Sequence, residues 1–179
     1  MNVKQNTNIC LLIVDVQNAL FDNNSNALYN ESIVLNNISK LQKSARMAGT
    51  PIIYVQHTEQ TGSFERDSTS WEIHHSIAPD DSEPIIEKHS WDGFLNTTLH
   101  ETLTAFGITT LIVCGMQTEF CLDTTLRSAY SKGYTSIVVS DAHSTFDNSI
   151  ITGKQIIAHH NQIWNGRFAS LIATADVNF

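Results

Sequence analysis

Six short runs of apolar residues recur along the chain at wide, fairly even spacings, and they are rich in β-branched side chains. Each run is continuous rather than alternating, which is typical of parallel strands that are buried on both faces. The runs cover residues 9–14, 51–55, 84–86, 109–114, 135–140 and 170–173. The pattern therefore predicts strands inside a sheet that has helices on both sides.

The segments between these strands carry apolar residues with the period of an α-helix. The first helix is predicted to end at Gly49, which precedes Thr50 and Pro51. Thr98 and Glu101 have the spacing of a capping box and predict the start of the second helix. The four predicted helices cover residues 33–48, 98–106, 121–132 and 150–164.

Regular alternation of strands and helices predicts the α/β class, with right-handed crossovers between parallel strands. We expect a three-layer, doubly wound, mostly parallel sheet of about six strands flanked by helices, in one domain over residues 1–179. One long irregular segment, 57–83, interrupts the pattern. A loop of that length predicts a functional element, either a lid or part of an oligomer contact.

Composition excludes several classes of function. The 179 residues include ten basic and eighteen acidic side chains, with a net charge of −8, which does not suit nucleic-acid binding. The longest apolar run, 9–14, is far shorter than the ~18–20 residues that span a bilayer, and no cleavage site of small residues follows it. Three cysteines do not form a disulfide framework. We therefore expect a cytoplasmic protein without membrane association.

In open α/β sheets, ligands bind beyond the carboxyl ends of the strands, so the residues there are the candidates for chemistry. Cys121 follows the fourth strand and opens the predicted third helix, where the helix dipole and free N–H groups lower a thiol pKa. Asp15 ends the first strand and Lys88 follows the third. Together these side chains supply a base, a cation and a nucleophile.

Each of these residues also has a plainer interpretation. Asp15 is compatible with a helix cap or a turn, and Lys88 with a solvated lysine. A buried cysteine acts as a small hydrophobic residue, and we predict that role for Cys10 and Cys114 inside apolar strands.

Three ordered segments resemble the isochorismatase-like cysteine hydrolases, a superfamily that includes nicotinamidases, N-carbamoylsarcosine amidohydrolase and streptothricin hydrolase. The segments read IVDVQN at 13–18, EK at 87–88 and GMQTEFC at 115–121. The resemblance implies that Cys121 is the nucleophile, Asp15 the general base and Lys88 the cation that holds and polarises them. It also implies the isochorismatase-like hydrolase fold and a homo-oligomer, dimeric or higher.

The same resemblance implies features of the backbone around the nucleophile. The Met116–Gln117 peptide bond would be cis, and the backbone N–H groups of Gln117 and Cys121 would form the oxyanion hole. A non-proline cis bond costs ~3–4 kcal/mol, so it would persist only where the site needs its geometry.

Four residues are predicted to contact the substrate: Phe21 follows the first segment, Trp91 and Phe94 follow the second, and His57 follows the second predicted strand. A place in the hydrophobic core or in an oligomer interface is the alternative for the aromatic residues.

The chain departs from nicotinamidases, which hold a metal through an aspartate and two or three histidines after the second strand. The corresponding segment here contains His57 but no aspartate, and His74 and His75 lie 17 and 18 residues further on. A metal needs converging ligands at fixed distances. We therefore predict no metal site and no cofactor.

The leading hypothesis is a cysteine-dependent hydrolase that cleaves a C–N bond of a small amide, carbamoyl or cyclic-amide compound through a thioester. A cysteine at position 121 favours acyl chemistry over the vinyl-ether cleavage of isochorismatase itself. The alternatives are a metal-assisted nicotinamidase, with a metal at His57 and His74 or His75, an isochorismatase-type hydrolase, and a catalytically silent protein that binds a small molecule.

Overall fold

A computed structural model describes residues 8–21 and 26–179. Its centre is a six-stranded sheet in the order β3-β2-β1-β4-β5-β6, in which all neighbouring strands are parallel. The strands are β1 (Ile9–Val14), β2 (Ile52–His57), β3 (Ile85–Lys88), β4 (Thr110–Met116), β5 (Thr135–Ser144) and β6 (Ser170–Ile172). The order reverses after β3, so the chain is wound in two directions from the middle of the sheet, as predicted.

Four α-helices cover the two faces of this sheet: α1 (Glu31–Ala48), α2 (Leu99–Ala105), α3 (Asp123–Ser131) and α4 (Gly153–Trp164). Helix α1 packs on one face, against alternate strand residues such as Leu11 and Ile13. Side chains of α2, α3 and α4 pack on the other face, against Cys10 and Leu12. Burial of both faces explains the continuous apolar runs, and the predicted three-layer α/β fold is confirmed.

The capping box lies at a different helix from the one predicted. Thr98 makes no side-chain cap bond, because its backbone (φ −87°, ψ 9°) is not extended as a capping residue requires. Thr152 has an extended backbone and forms a capping box with Gln155. Helix α4 therefore begins at Gly153, three residues later than position 150.

The loop between β2 and β3, residues 58–84, is held against the sheet by the buried side chain of Gln17. Its amide nitrogen donates to the carbonyl oxygens of His57 and Trp71, at 2.9 and 2.7 Å. Its amide oxygen accepts the His57 N–H at 2.8 Å. The loop thus lies over the carboxyl ends of β1 and β2, where it supplies part of a cavity wall.

None of the helices in the described residues is long and apolar enough to cross a membrane.

Candidate active site

The carboxyl ends of β1, β3 and β4 bring three side chains together. Asp15 directly follows β1 in a left-handed conformation, with φ 48°, which Asp tolerates better than most residues. Lys88 is the last residue of β3, and Cys121 lies in a π-helical turn, Thr118–Leu122, between β4 and α3. The wide turn replaces the start of the predicted helix, so Cys121 precedes α3 rather than opening it.

Gly115 allows β4 to approach β1 at this edge of the sheet. Its φ is 128°, and a Cβ at this position would overlap the carbonyl oxygen of Val14. Only glycine combines this backbone conformation with such a close approach. The absence of a side chain therefore lets the turn that carries Cys121 lie beside Asp15.

The Lys88 ammonium is the centre of the cluster, and its side chain is 0% exposed. Its Nζ lies 2.6 Å from Asp15 Oδ2 and 3.2 Å from Cys121 Sγ. It also donates to the Ser90 carbonyl oxygen at 2.9 Å and faces His57 Nδ1 at 3.2 Å. Three N–H bonds therefore face four acceptors, so at least one hydrogen is shared. A buried lysine with a carboxylate and a thiol as neighbours is suited to hold negative charge on either of them.

The pKa of the Cys121 thiol is raised to about 12, so the prediction of a lowered pKa is wrong. Burial raises the pKa most, and the Asp15 carboxylate raises it further, whereas Lys88 lowers it. The lowering effects do not outweigh burial and a neighbouring negative charge. The resting cysteine is therefore a thiol that needs a base.

The Met116–Gln117 peptide bond is trans, which corrects the predicted cis bond. Trans is the favoured form for a non-proline residue by ~3–4 kcal/mol, and Gly115 already turns the chain at the end of β4. Gln117 and Cys121 both line the cavity described below. The use of their N–H groups as an oxyanion hole stays a prediction.

A buried chain of hydrogen bonds contacts the turn at Thr118, which does not line the cavity. His143, 1% exposed, lies 2.9 Å from Thr118 Oγ1 through Nδ1 and 3.1 Å from Asn161 Oδ1 through Nε2. The Asn161 amide nitrogen donates to the Ser140 carbonyl oxygen, so its oxygen must accept the His143 Nε2–H. Nδ1 then accepts the Thr118 hydroxyl. Burial lowers the pKa of His143 to about 4, which keeps the ring neutral and this arrangement intact.

A cavity of about 170 Å³ opens next to Cys121. Two of the four predicted substrate contacts, His57 and Trp91, lie in its wall. The lining residues are Asp15, Leu20, His57, Glu59, Phe64, Trp91, Gln117, Phe120 and Cys121.

The other two predicted contacts, Phe21 and Phe94, lie outside this wall, so the structure corrects these assignments. Phe94 is buried in the core on the α2–α3 side, and its ring stacks on Tyr134 with centroids 5.7 Å apart. Phe21 packs against His74, with centroids 4.8 Å apart.

Sequence reasoning missed four of the lining residues: Leu20, Glu59, Phe64 and Phe120. Two of them had a usable signal, since Glu59 follows β2 by two residues and Phe120 precedes the nucleophile. Phe64 comes from the middle of the long loop, where no pattern indicates which side chain turns inward.

The histidines do not fit a nicotinamidase-type metal site. His57 Nδ1 faces the Lys88 ammonium, which disfavours a second cation, and Nε2 faces Glu59 Oε1 at 3.4 Å. His74 turns its Nδ1 to Ser76 Oγ and stacks on His75. Across residues 8–21 and 26–179, no three His, Cys, Asp or Glu side chains are grouped as metal ligands.

Comparison with known proteins identifies the family of the chain. The model of the isochorismatase domain matches residues 9–162, which is most of the chain. The chain belongs to the isochorismatase family. It is 34% identical to the uncharacterized isochorismatase family protein YddQ of Bacillus subtilis (strain 168), over 92% of this chain and 95% of that protein. It is 36% identical to a streptothricin hydrolase of Streptomyces noursei, over 76% of this chain and 54% of that protein.

Solved structures agree. An isochorismatase from Pseudomonas putida KT2440 superposes with a TM-score of 0.90 at 32% identity, covering 96% of this chain and 90% of that one. The resemblance inferred from the three sequence segments is therefore confirmed, and so is the prediction that the chain is a hydrolase. The match to streptothricin hydrolase spans only about half of that protein's length.

Proposed function

We propose that this isochorismatase-family protein is a cysteine hydrolase that cleaves a C–N bond of a small amide, carbamoyl or cyclic-amide compound. The observation that carries the proposal is the buried Lys88 ammonium, which contacts both Asp15 and Cys121 at the base of a cavity. A relative named streptothricin hydrolase supports hydrolysis as the reaction class. The expected homo-oligomer and cytoplasmic location stay predictions.

The first step transfers a proton from the Cys121 thiol to Asp15 while Sγ attacks the substrate carbonyl carbon. The negative charge moves from the carboxylate to sulfur and then to the carbonyl oxygen. Because Lys88 Nζ contacts both groups, it stabilises the charge before and after the transfer. In the proposal, the N–H groups of Gln117 and Cys121 bind the oxyanion.

The second step breaks the C–N bond. The protonated Asp15 donates its proton to the leaving nitrogen, and the acyl group stays on Cys121 as a thioester. A water molecule then attacks the thioester, and Asp15 accepts one of its protons. The thiolate leaves and recovers that proton, so an acid and an amine are released and the site returns to its resting state.

The test is a screen of primary amides, carbamoyl compounds, nicotinamide and isochorismate with the unmodified protein and with Cys121→Ala. We expect turnover of at least one C–N substrate, complete loss of it in Cys121→Ala, and a mass increase on Cys121 during turnover. Cys114→Ala is the matched control, and it should keep activity because that thiol lies in the interior of β4.

Retention of amide hydrolysis by Cys121→Ala would exclude the covalent mechanism. Turnover of isochorismate alone would show that the protein cleaves a vinyl ether rather than a C–N bond. Absence of turnover of every compound, together with an unmodified Cys121, would favour the silent binding protein.

A further inference from the structure

The wall of the cavity has an uneven distribution of charge. It contains two carboxylates, Asp15 and Glu59, and a set of aromatic rings. Among the residues that the structure describes, no lysine or arginine lines it. Lys88 lies behind the wall, fully buried.

The two carboxylates differ in how their charge is balanced. Asp15 is paired with the Lys88 ammonium at 2.6 Å. The Glu59 side chain is 41% exposed, and within residues 8–21 and 26–179 the one basic group within salt-bridge distance of its carboxylate is His57, with Nε2 3.4 Å from Oε1. Whether the protein places a positive charge beside the Glu59 carboxylate therefore depends on the protonation state of that histidine.

His57 does not neutralise Glu59. Burial and the nearby Lys88 charge lower the pKa of His57, which keeps the ring neutral. Because Nδ1 faces the ammonium as an acceptor, the ring proton is on Nε2 and points to Glu59. The neutral His57 ring therefore places no positive charge beside the Glu59 carboxylate at the wall of the cavity.

Aromatic rings surround the same space. Trp91 is 53% exposed and Phe120 is 45% exposed, although both are large apolar side chains. Phe64 and Trp91 pack around the His57 ring, with centroids 5.2 and 5.6 Å from it. The faces of such rings attract cations and give an anion no compensating contact.

We infer that the site selects amide substrates that carry a positively charged nitrogen group at the end away from the scissile bond. Glu59 pairs with that group, and the rings of Trp91 and Phe120 enclose it. The inference rests on the proposed function, because it names the substrate class of the same site. It makes Glu59 a residue that determines specificity without contact to the reacting atoms.

Charged thiol reagents test the inference without any turnover. Ethyl methanethiosulfonate is compared with its trimethylammonium and sulfonate derivatives, and the rate of modification of Cys121 is followed by mass spectrometry. Each rate is divided by that of a small free thiol. We expect the cationic reagent to react about tenfold faster than the anionic one. Glu59→Gln should remove most of this ratio, and Glu101→Gln, an equal charge change on α2, should leave it intact.

A second arm uses substrates of equal length: 4-aminobutanamide, pentanamide and glutaramate. We expect the highest kcat/KM for the cationic amide and the lowest for the anionic one. Trp91→Leu should lower kcat/KM for the cationic amide by about threefold. Equal reagent rates in the unmodified protein, an unchanged ratio in Glu59→Gln, or no modification of Cys121 by any reagent would overturn the inference. A cation preference without hydrolysis of any amide would instead refute the proposed function alone.

Discussion

Cys114 and Cys121 lie seven residues apart, one inside β4 and one in the turn that follows it. Burial raises the pKa of both thiols. Their surroundings differ in other ways. Cys114 is 0% exposed within the apolar core, and its Sγ lies 4.0 Å from the Leu12 carbonyl oxygen, to which it donates a weak hydrogen bond. The Cys121 Sγ lies 3.2 Å from Lys88 Nζ, and Cys121 forms part of the cavity wall.

The reactivity of a cysteine in this protein therefore follows from its neighbouring groups and its access to the cavity rather than from a low thiol pKa. Inside a parallel strand, the backbone groups bond to neighbouring strands and both faces are packed, so no base or cation can approach. Beyond the carboxyl ends of the strands the chain is no longer packed on both faces, so side chains from three strands can meet there.

Lys88→Met should have the largest effect of the substitutions that leave both thiols in place. It removes the charge shared by Asp15 and Cys121 and leaves a buried carboxylate unpaired, which costs about 3–5 kcal/mol of unfolding free energy. Turnover should fall by about 10³-fold or more. Urea unfolding and steady-state kinetics measure the two effects, and Lys43→Met, on the exposed face of α1, is the control.

The double variant Lys88→Met with Asp15→Asn separates these effects. It should regain stability, because the unpaired charge is gone, without regaining turnover. Recovery of activity in the double variant would show that Lys88 is not needed for the chemistry.

Asp15→Asn should change turnover and labelling of Cys121 in opposite directions. Turnover should fall by about 10²–10⁴-fold, because the proton acceptor is lost. Labelling by iodoacetamide at pH 7 should become faster, because the carboxylate that raises the pKa of Cys121 is gone. Cys114 should stay unlabelled, and Asp81→Asn in the exposed loop should change neither quantity. Slower labelling of Cys121 in Asp15→Asn would contradict this account.

The pH dependence of labelling sharpens the contrast between the two thiols. With a pKa of about 12, the thiolate fraction of Cys121 should rise about tenfold per pH unit between pH 7 and 10. Peptide mapping should find the label on Cys121 first, and on Cys10 or Cys114 only after unfolding. A plateau of the rate below pH 8 would mean that Cys121 is a thiolate at rest.

The smallest effect is expected at His143, which contacts neither thiol. His143→Asn keeps an acceptor near the position of Nδ1 and should retain more kcat than His143→Gln, with KM nearly constant in both.

The pH dependence of the unfolding free energy gives a second measurement of the role of His143. The folded pKa of about 4 lies below the usual 6.5, so the unfolded chain binds the proton first as the pH falls. Stability is therefore lost below pH 6.5, by about 2 kcal/mol at pH 5, and His143→Asn should remove that loss. Urea unfolding at pH 7 and pH 5 measures it.

The interiors of the strands were predictable from sequence, and their carboxyl ends were not. The first strand has its predicted bounds, Ile9–Val14, because an apolar run and the buried segment coincide there. β2 and β5 continue to His57 and Ser144, beyond the predicted ends at 55 and 140. Polar residues extend these strands because tertiary hydrogen bonds satisfy them, such as Ser144 Oγ to the Tyr29 carbonyl oxygen. Periodicity carries no information about such partners.

The same limit applies to the site. Motifs at the strand ends predict which residues meet, and Asp15, Lys88 and Cys121 do so. The pKa of the thiol and the place of Phe94 depend on packing in three dimensions, so the sequence does not reveal them. The surroundings of Glu59 are a clear example, because burial and the charge of Lys88, from another strand, lower the pKa of the His57 ring that faces it.

Gly115 has a consequence for how the molecule acquires activity. Its contact with the Val14 backbone forms only when β1 and β4 have docked in register, at pairs such as Ile13 with Cys114 that are 101 residues apart in the sequence. A chain that has folded its helices but not joined these strands holds the base and the nucleophile on separate segments. Hydrolysis would therefore begin only after β1 and β4 have paired at the centre of the sheet, and turnover during refolding would not recover before that event.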